Sequence, residues 1–215
     1  MKKTPFIAIE GPIGVGKTSL ALAIADQLDY NLLKEIVHEH PFLDKFYDDI
    51  ETWAFQTEMF FLVNRHVQLE EIQENYLHHQ KPVVSDYHIF KNLIFAEMNL
   101  DKSKFAKFSQ IYNILLEDTP PPNVLIVLNA SLETLLRRIA LRNREFEQDM
   151  DPEYLQRLIT AYDEKIDLFR QLYPQIPIIK INGDDFDFVH QPEDFAKIMQ
   201  LIQPYLTEER IHEKI

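Results

Sequence analysis

The chain has 215 residues, is 46% hydrophobic, contains no cysteine, and sets 22 Lys and Arg against 35 Asp and Glu for a formal net charge of −13. This balance excludes disulfides, thiolate metal centres and cysteine catalysis, and it argues against nucleic acid or an acidic membrane as a partner of the whole surface. One core can be built over residues 1–215 with no linker dividing them, no segment is apolar for long enough to cross a bilayer, and Glu10 cuts the apolar run after Lys2 and Lys3 too early for a signal peptide, so a soluble cytoplasmic single-domain protein is expected. In chain order, Phe6 to Ile9 read as a buried strand, and Gly11 to Thr18 match the phosphate-binding P-loop pattern at every specified position. Ser19 to Leu28 follow as a helix. Leu32 and Leu33 suggest a short second strand before Glu35, and Trp53 to His79 read as a long helix. A strand from Pro82 to Ser85 comes next, then an apolar region from Phe105 to Leu116 and a strand from Asn123 to Leu128. A helix begins near Ser131, Pro152 to Tyr173 form another, and Ile176 to Ile181 give a last strand. Runs this rich in Val, Ile and Leu are buried on both faces, so the expected fold is α/β, a three-layer sandwich with a parallel sheet of about five strands between helices.

Ligands of such a sheet sit beyond the C-terminal ends of its strands. After the first strand, Gly11, Gly14, Val15, Gly16, Lys17, Thr18 and Ser19 are the candidates to hold nucleotide phosphates: glycines let backbone N–H groups curl around a phosphate, Lys17 supplies a point charge, and Thr18 offers a hydroxyl to Mg²⁺. Glu35 stands where a carboxylate can take the proton of an attacking hydroxyl, unless it is a surface glutamate. Asp86, after the Pro82 strand, is placed to assist Mg²⁺ or else to cap its turn. After the last strand comes Asn182-Gly183-Asp184-Asp185. Arg137, Arg138, Arg142 and Arg144 form a basic cluster that either closes over a γ-phosphate as a lid or is a solvated face. Phe55, Phe60 and Phe61 read as helix core, whereas the amide of Gln56 suits a nucleobase. The histidines, His38, His40, His78, His79 and His88 among them, show no spacing that makes a convincing zinc shell.

Taken together, Ile9-Glu10-Gly11-Pro12-Ile13-Gly14 through Thr18, Glu35-Ile36-Val37, Pro41 to Tyr47, Trp53-Ala54-Phe55-Gln56, Asp86-Tyr87-His88 and Arg138 to Arg144 resemble the deoxyribonucleoside kinases, and most closely the bacterial purine type. The resemblance spans nearly the whole chain. It implies transfer of the γ-phosphate of ATP to the 5′-hydroxyl of a deoxynucleoside, with Mg²⁺ as cofactor and deoxyguanosine favoured over deoxyadenosine. It also implies roles: Glu35 as general base beside Lys17, Gln56 reading the base, Phe95 stacking on it, and Tyr47 with Glu147 holding the sugar 3′-hydroxyl. Arg138, Arg142 and Arg144 would form the lid, Arg138 and Arg142 acting on the transferring phosphate, and Asp185 and Phe186 would lie near the adenine of ATP. One position departs from the family pattern, because Tyr87 stands where an arginine is common; Arg65 is the candidate substitute. Two rival readings share the P-loop: a nucleoside monophosphate kinase resembling thymidylate kinase, which needs extra cations for its acceptor phosphate, and a non-catalytic nucleotide-binding subunit, which Tyr87 favours. The apolar surface of the Trp53 helix and the Phe105 to Leu116 region points to a homodimer, with a heterodimer of related subunits as the alternative.

Overall fold

A computed structural model describes residues 4–36, 41–117, 119–144, 147 and 150–206. Its centre is a five-stranded parallel sheet in the order β2-β3-β1-β4-β5, built from β1 (Phe6–Glu10), β2 (Asn31–Leu33), β3 (Val83–Ser85), β4 (Val124–Asn129) and β5 (Ile178–Asn182). Register places Ile7 opposite both Val84 and Val124, and Leu125 opposite Ile178. Every residue of β1 is buried, as is nearly all of β4, because helices cover both faces of the sheet. Strand β5 alternates in burial instead, which is the pattern of an edge. It starts two residues later than its apolar run suggests: Pro177 has no N–H to donate, and Ile176 gives its own to Tyr173 in a turn.

The helices are α1 (Lys17–Leu28), α2 (Leu43–Asp48), α3 (Ile50–Asn75), α4 (Lys91–Asn99), α5 (Lys102–Leu116), α6 (Leu132–Arg142), α7 (Pro152–Leu172) and α8 (Pro192–Ile202). Local chemistry fixes their ends. Asp49, Asp101, Ser131 and Asp151 accept hydrogen bonds from first-turn N–H groups of α3, α5, α6 and α7, and Pro152 stands at the first position of α7. The long helix expected to Trp53–His79 runs from Ile50 to Asn75 and gives way to a single 3-10 turn at Leu77–His79, closed by Gln80 in the left-handed region. Asn143, also left-handed, ends α6 before Arg144, so the last arginine of the basic cluster lies beyond the helix. Parallel pairing brings the ends of β1, β2, β3 and β5 to one edge of the sheet, and the chemistry gathers there.

Candidate active site

A cavity of about 710 Å³ opens at that edge, a size that suits one or two small ligands. Its floor is the loop between β1 and α1, with Gly14, Val15, Gly16, Lys17, Thr18 and Ser19 lining it. The ammonium of Lys17 folds onto the loop, donating to the carbonyls of Gly11 at 2.7 Å and Pro12 at 3.0 Å. Burial, then the nearby ammonium of Lys91, bring Lys17 down to about 8. Gly11 is not in the lining, contrary to its expected part in holding phosphate. It lies beneath, where an added Cβ would meet the Leu128 carbonyl of β4 at 2.3 Å, so its glycine is required by packing.

Glu35 follows the end of β2 and turns into the cavity opposite the loop. Arg65 of α3 donates to its Oε1 through Nε at 2.9 Å and again through Nη2, while Lys91 of α4 donates to both oxygens at 3.1 and 3.0 Å. Burial alone would raise this carboxylate, but Lys91, Arg65 and Lys17 hold it well below the usual carboxylate range. Glu35 is therefore an anion at any physiological pH. Its backbone N–H donates to Asp86 Oδ1 at 2.7 Å, and the hydroxyl of Thr18 donates to Asp86 Oδ2 at 2.5 Å. Asp86 thus links the end of β2, the end of β3 and the start of α1.

The residue in the departing position does not reach this centre. The hydroxyl of Tyr87 donates to Gln68 at 2.9 Å in the core, and Arg65 supplies the cation beside Glu35 from another element. Beneath the site, buried Glu10 accepts from the N–H groups of Gly11 at 3.1 Å and His88 at 2.5 Å and from the Tyr162 hydroxyl at 2.9 Å. That carboxylate ties the phosphate loop to the Asp86–His88 turn, and its burial raises its pKa.

The arginines form one wall. Arg138 donates to the carbonyls of Val15 at 2.9 Å and Gly183 at 2.8 Å, clasping α6 to the phosphate loop. Arg142 and Arg144 both pair with the buried carboxylate of Glu147, the second at 3.6 Å. Tyr47 is half-buried near the same carboxylate; desolvation, Tyr154 and Glu147 all keep its phenol protonated. The segment after β5 completes the rim with Phe186, Asp187, Phe188, Val189 and His190. Asp185, expected beside them, is exposed and outside the lining, because its carboxylate is turned to the amide of Asn182 at 2.9 Å.

Gln56 is also misplaced by the sequence. It is exposed and outside the cavity, since two residues along a helix turn a side chain by about 200° away from the face its neighbour presents. Glu58 lies on the inner face instead, together with Phe61 and Arg65 at the helical spacings i, i+3 and i+7. Phe61, read as core, lines the cavity under the Arg65 guanidinium at 4.5 Å. Phe95 of α4 lines it as well, with Lys91 5.6 Å from its ring. Lys91 and Glu58 had no signal in the sequence beyond their helical context. Of the histidines weighed as metal ligands, His38 and His40 lie outside the described residues.

The arrangement joins a phosphate loop, a wall of arginines and a largely enclosed anion facing a pocket with two phenyl rings. A family model described as deoxynucleoside kinase matches residues 7–207. The chain is 45% identical over 198 residues to the deoxyguanosine kinase of Bacillus subtilis, covering 92% of this chain and 96% of that protein. It is 33% identical to the deoxyadenosine kinase of Lactobacillus acidophilus over 94% of this chain and 96% of that protein. The fold is that of the deoxyadenosine kinase of M. mycoides solved with bound dATP, with a TM-score of 0.78, 24% identity and coverage of 92% and 99% of the two chains. With the match extending from the first strand past the last helix, the chain belongs to the deoxynucleoside kinase family.

Proposed function

We propose that this protein transfers the γ-phosphate of ATP to the 5′-hydroxyl of a purine deoxyribonucleoside, deoxyguanosine ahead of deoxyadenosine, in cytoplasmic deoxynucleotide salvage. The observation that carries this reading is the ionised Glu35, its side chain only 12% exposed, facing the phosphate loop across one cavity. In the reaction the 5′-oxygen bonds to the γ-phosphorus, the bond from that phosphorus to the bridging oxygen of ADP breaks, and the hydroxyl proton passes to a Glu35 oxygen. Lys17 and the lid residues Arg138, Arg142 and Arg144 face the charge that spreads over the phosphoryl oxygens, while Tyr47 and Glu147 receive the sugar and Phe95 the base. Thr18 and Asp86, two oxygen ligands in contact, fit a Mg²⁺ ion held mainly by phosphates and water; when bound, that ion supplies charge neutralisation on the phosphate oxygens. Arg65 and Lys91 are engaged by Glu35, which favours an uncharged acceptor over a nucleoside monophosphate. We also infer that two copies pair through α3 and α5.

Glu35→Gln tests the central step. The amide keeps the shape and cannot take the proton, so turnover should fall by about 10²- to 10⁴-fold while calorimetry still finds the nucleoside bound. Near wild-type turnover would remove Glu35 from the mechanism. The same assay run with deoxyguanosine, deoxyadenosine, deoxycytidine, thymidine and their monophosphates separates a nucleoside kinase from a monophosphate kinase.

A further inference from the structure

We propose that Glu58 sets the base preference, its carboxylate accepting the two adjacent donors, N1–H and the 2-amino group, that guanine offers on its pairing edge and adenine lacks. This rests on the 5′-kinase reading above and deepens it. Glu58 is 2% exposed and lines the acceptor end of the cavity, on the same face of α3 as Phe61 and Arg65, and Phe95 of α4 lines the same cavity. A carboxyl group in such a place needs partners, and the protein provides few: Asn99 donates to Oε1 at 2.9 Å, and among the described residues Oε2 has no hydrogen-bond donor. The same Asn99 amide donates to the Tyr154 hydroxyl at 3.4 Å, so the carboxyl is oriented from α4 and α7 while Oε2 and the second lone pair of Oε1 stay available to a ligand. Glu58 has no part in moving phosphate or proton, which leaves recognition as its chemistry.

The groups facing Glu58 set when it is charged. Arg65 on its own helix and Lys91 from α4 favour the anion, Glu35 beyond β2 opposes it, and Tyr47 of α2 and Tyr154 of α7 present neutral phenols. Burial outweighs the Asn99 hydrogen bond and these charges and pushes Glu58 up to about 7. The anion accepts both guanine donors. The protonated form is one donor and one acceptor, which pairs with N1 and the 6-amino group of adenine. The balance between the two bases should therefore move with pH: guanine gains as pH rises through neutrality, adenine as it falls.

Three measurements of kcat/KM test this. In Glu58→Gln, deoxyguanosine should lose about 10- to 100-fold, whereas deoxyadenosine should change by less than about threefold, because the amide still offers one donor and one acceptor. With the unaltered enzyme, 2′-deoxyinosine, which lacks the 2-amino group, should be about tenfold poorer than deoxyguanosine. Between pH 6 and pH 8 the deoxyguanosine to deoxyadenosine ratio should rise about tenfold or more, and taking the ratio cancels the ionisations of Lys17 and Glu35 that both substrates share. Equal losses for the two purines in the variant, parity of deoxyinosine with deoxyguanosine, or a ratio flat with pH would each overturn the assignment. The last two need no variant, so a failure of Glu58→Gln to fold leaves the test intact. Transfer to pyrimidine nucleosides alone overturns only the role of Glu58, whereas no transfer to any deoxynucleoside overturns the kinase reading itself.

Discussion

Lys91 and Arg65 approach Glu35 from two different helices, so the charge of one side chain depends on how α3 and α4 pack. Lys91 is the larger of the two favourable influences. Removing it in Lys91→Met leaves a largely enclosed anion with only Arg65 and Lys17 as its cations, which should cost about 3 kcal/mol of stability and let the pKa of Glu35 climb back toward its ordinary 4.5. The sign follows from the depressed native value: the stability that Glu35 contributes is fully present above 4.5 and is lost as pH falls toward the native pKa, so the variant, with less depression, should lose less on acidification. The acid limb of kcat/KM should correspondingly appear at higher pH in Lys91→Met than in the unaltered protein; coincident limbs would show that Lys91 does not tune the base. Glu35 was legible in the sequence because it ends a strand next to a phosphate loop. Lys91 was not, since a lysine opening an apolar helix normally reads as solvated, and only the crossing of α3 and α4 turns it inward.

At the scale of elements, the contact between the phosphate loop and α6 decides how the arginines meet a phosphate. Gly14 makes that contact possible: it has φ +82°, and an added Cβ would stand 2.6 Å from Ile139 and 3.1 Å from the Leu135 carbonyl. Gly14→Ala should therefore strain the loop and wedge α6 outward, costing about 1–3 kcal/mol and raising KM for ATP more than KM for the nucleoside, whose pocket is built from α2, α3 and α4. Chemical denaturation and the paired KM values check this, and an unchanged KM for ATP would mean that α6 does not need the close approach. The strands themselves followed from buried apolar runs and the loop after β1, because those signals are local, whereas their order in the sheet depends on long-range pairing and was not anticipated. Helices α2 and α4 were not anticipated, being six and nine residues long, too short for a clear 3.6-residue period. Gln56 failed as a cavity residue for a related reason: composition names a polar residue in an apolar helix, but only the phase of the helix says which one faces the cavity.

For the whole molecule, a surface of net charge −13 must still admit a polyanionic nucleotide, and it does so by gathering Lys17, Arg138, Arg142 and Arg144 around one opening while acidic residues dominate elsewhere. The same surface bears on self-association. Val63 and Val67 stand four residues apart on α3 and are 46% and 44% exposed, and α5, which packs on α3, exposes Ile114 at 66%. Apolar side chains on one helical stripe are more economically covered by a second copy than left in water, and burying each fully is worth about 1.5–3 kcal/mol. The proposed pairing would bring this stripe against its mate in a self-complementary interface, so one charge added per chain is doubled in the dimer. Val63→Lys with Val67→Lys should then convert the protein from dimer to monomer in sedimentation equilibrium. Phosphate transfer should survive in the variant, because these side chains point away from the cavity lining. A monomer before any substitution, or a dimer that persists after it, would place the pairing surface elsewhere or remove it.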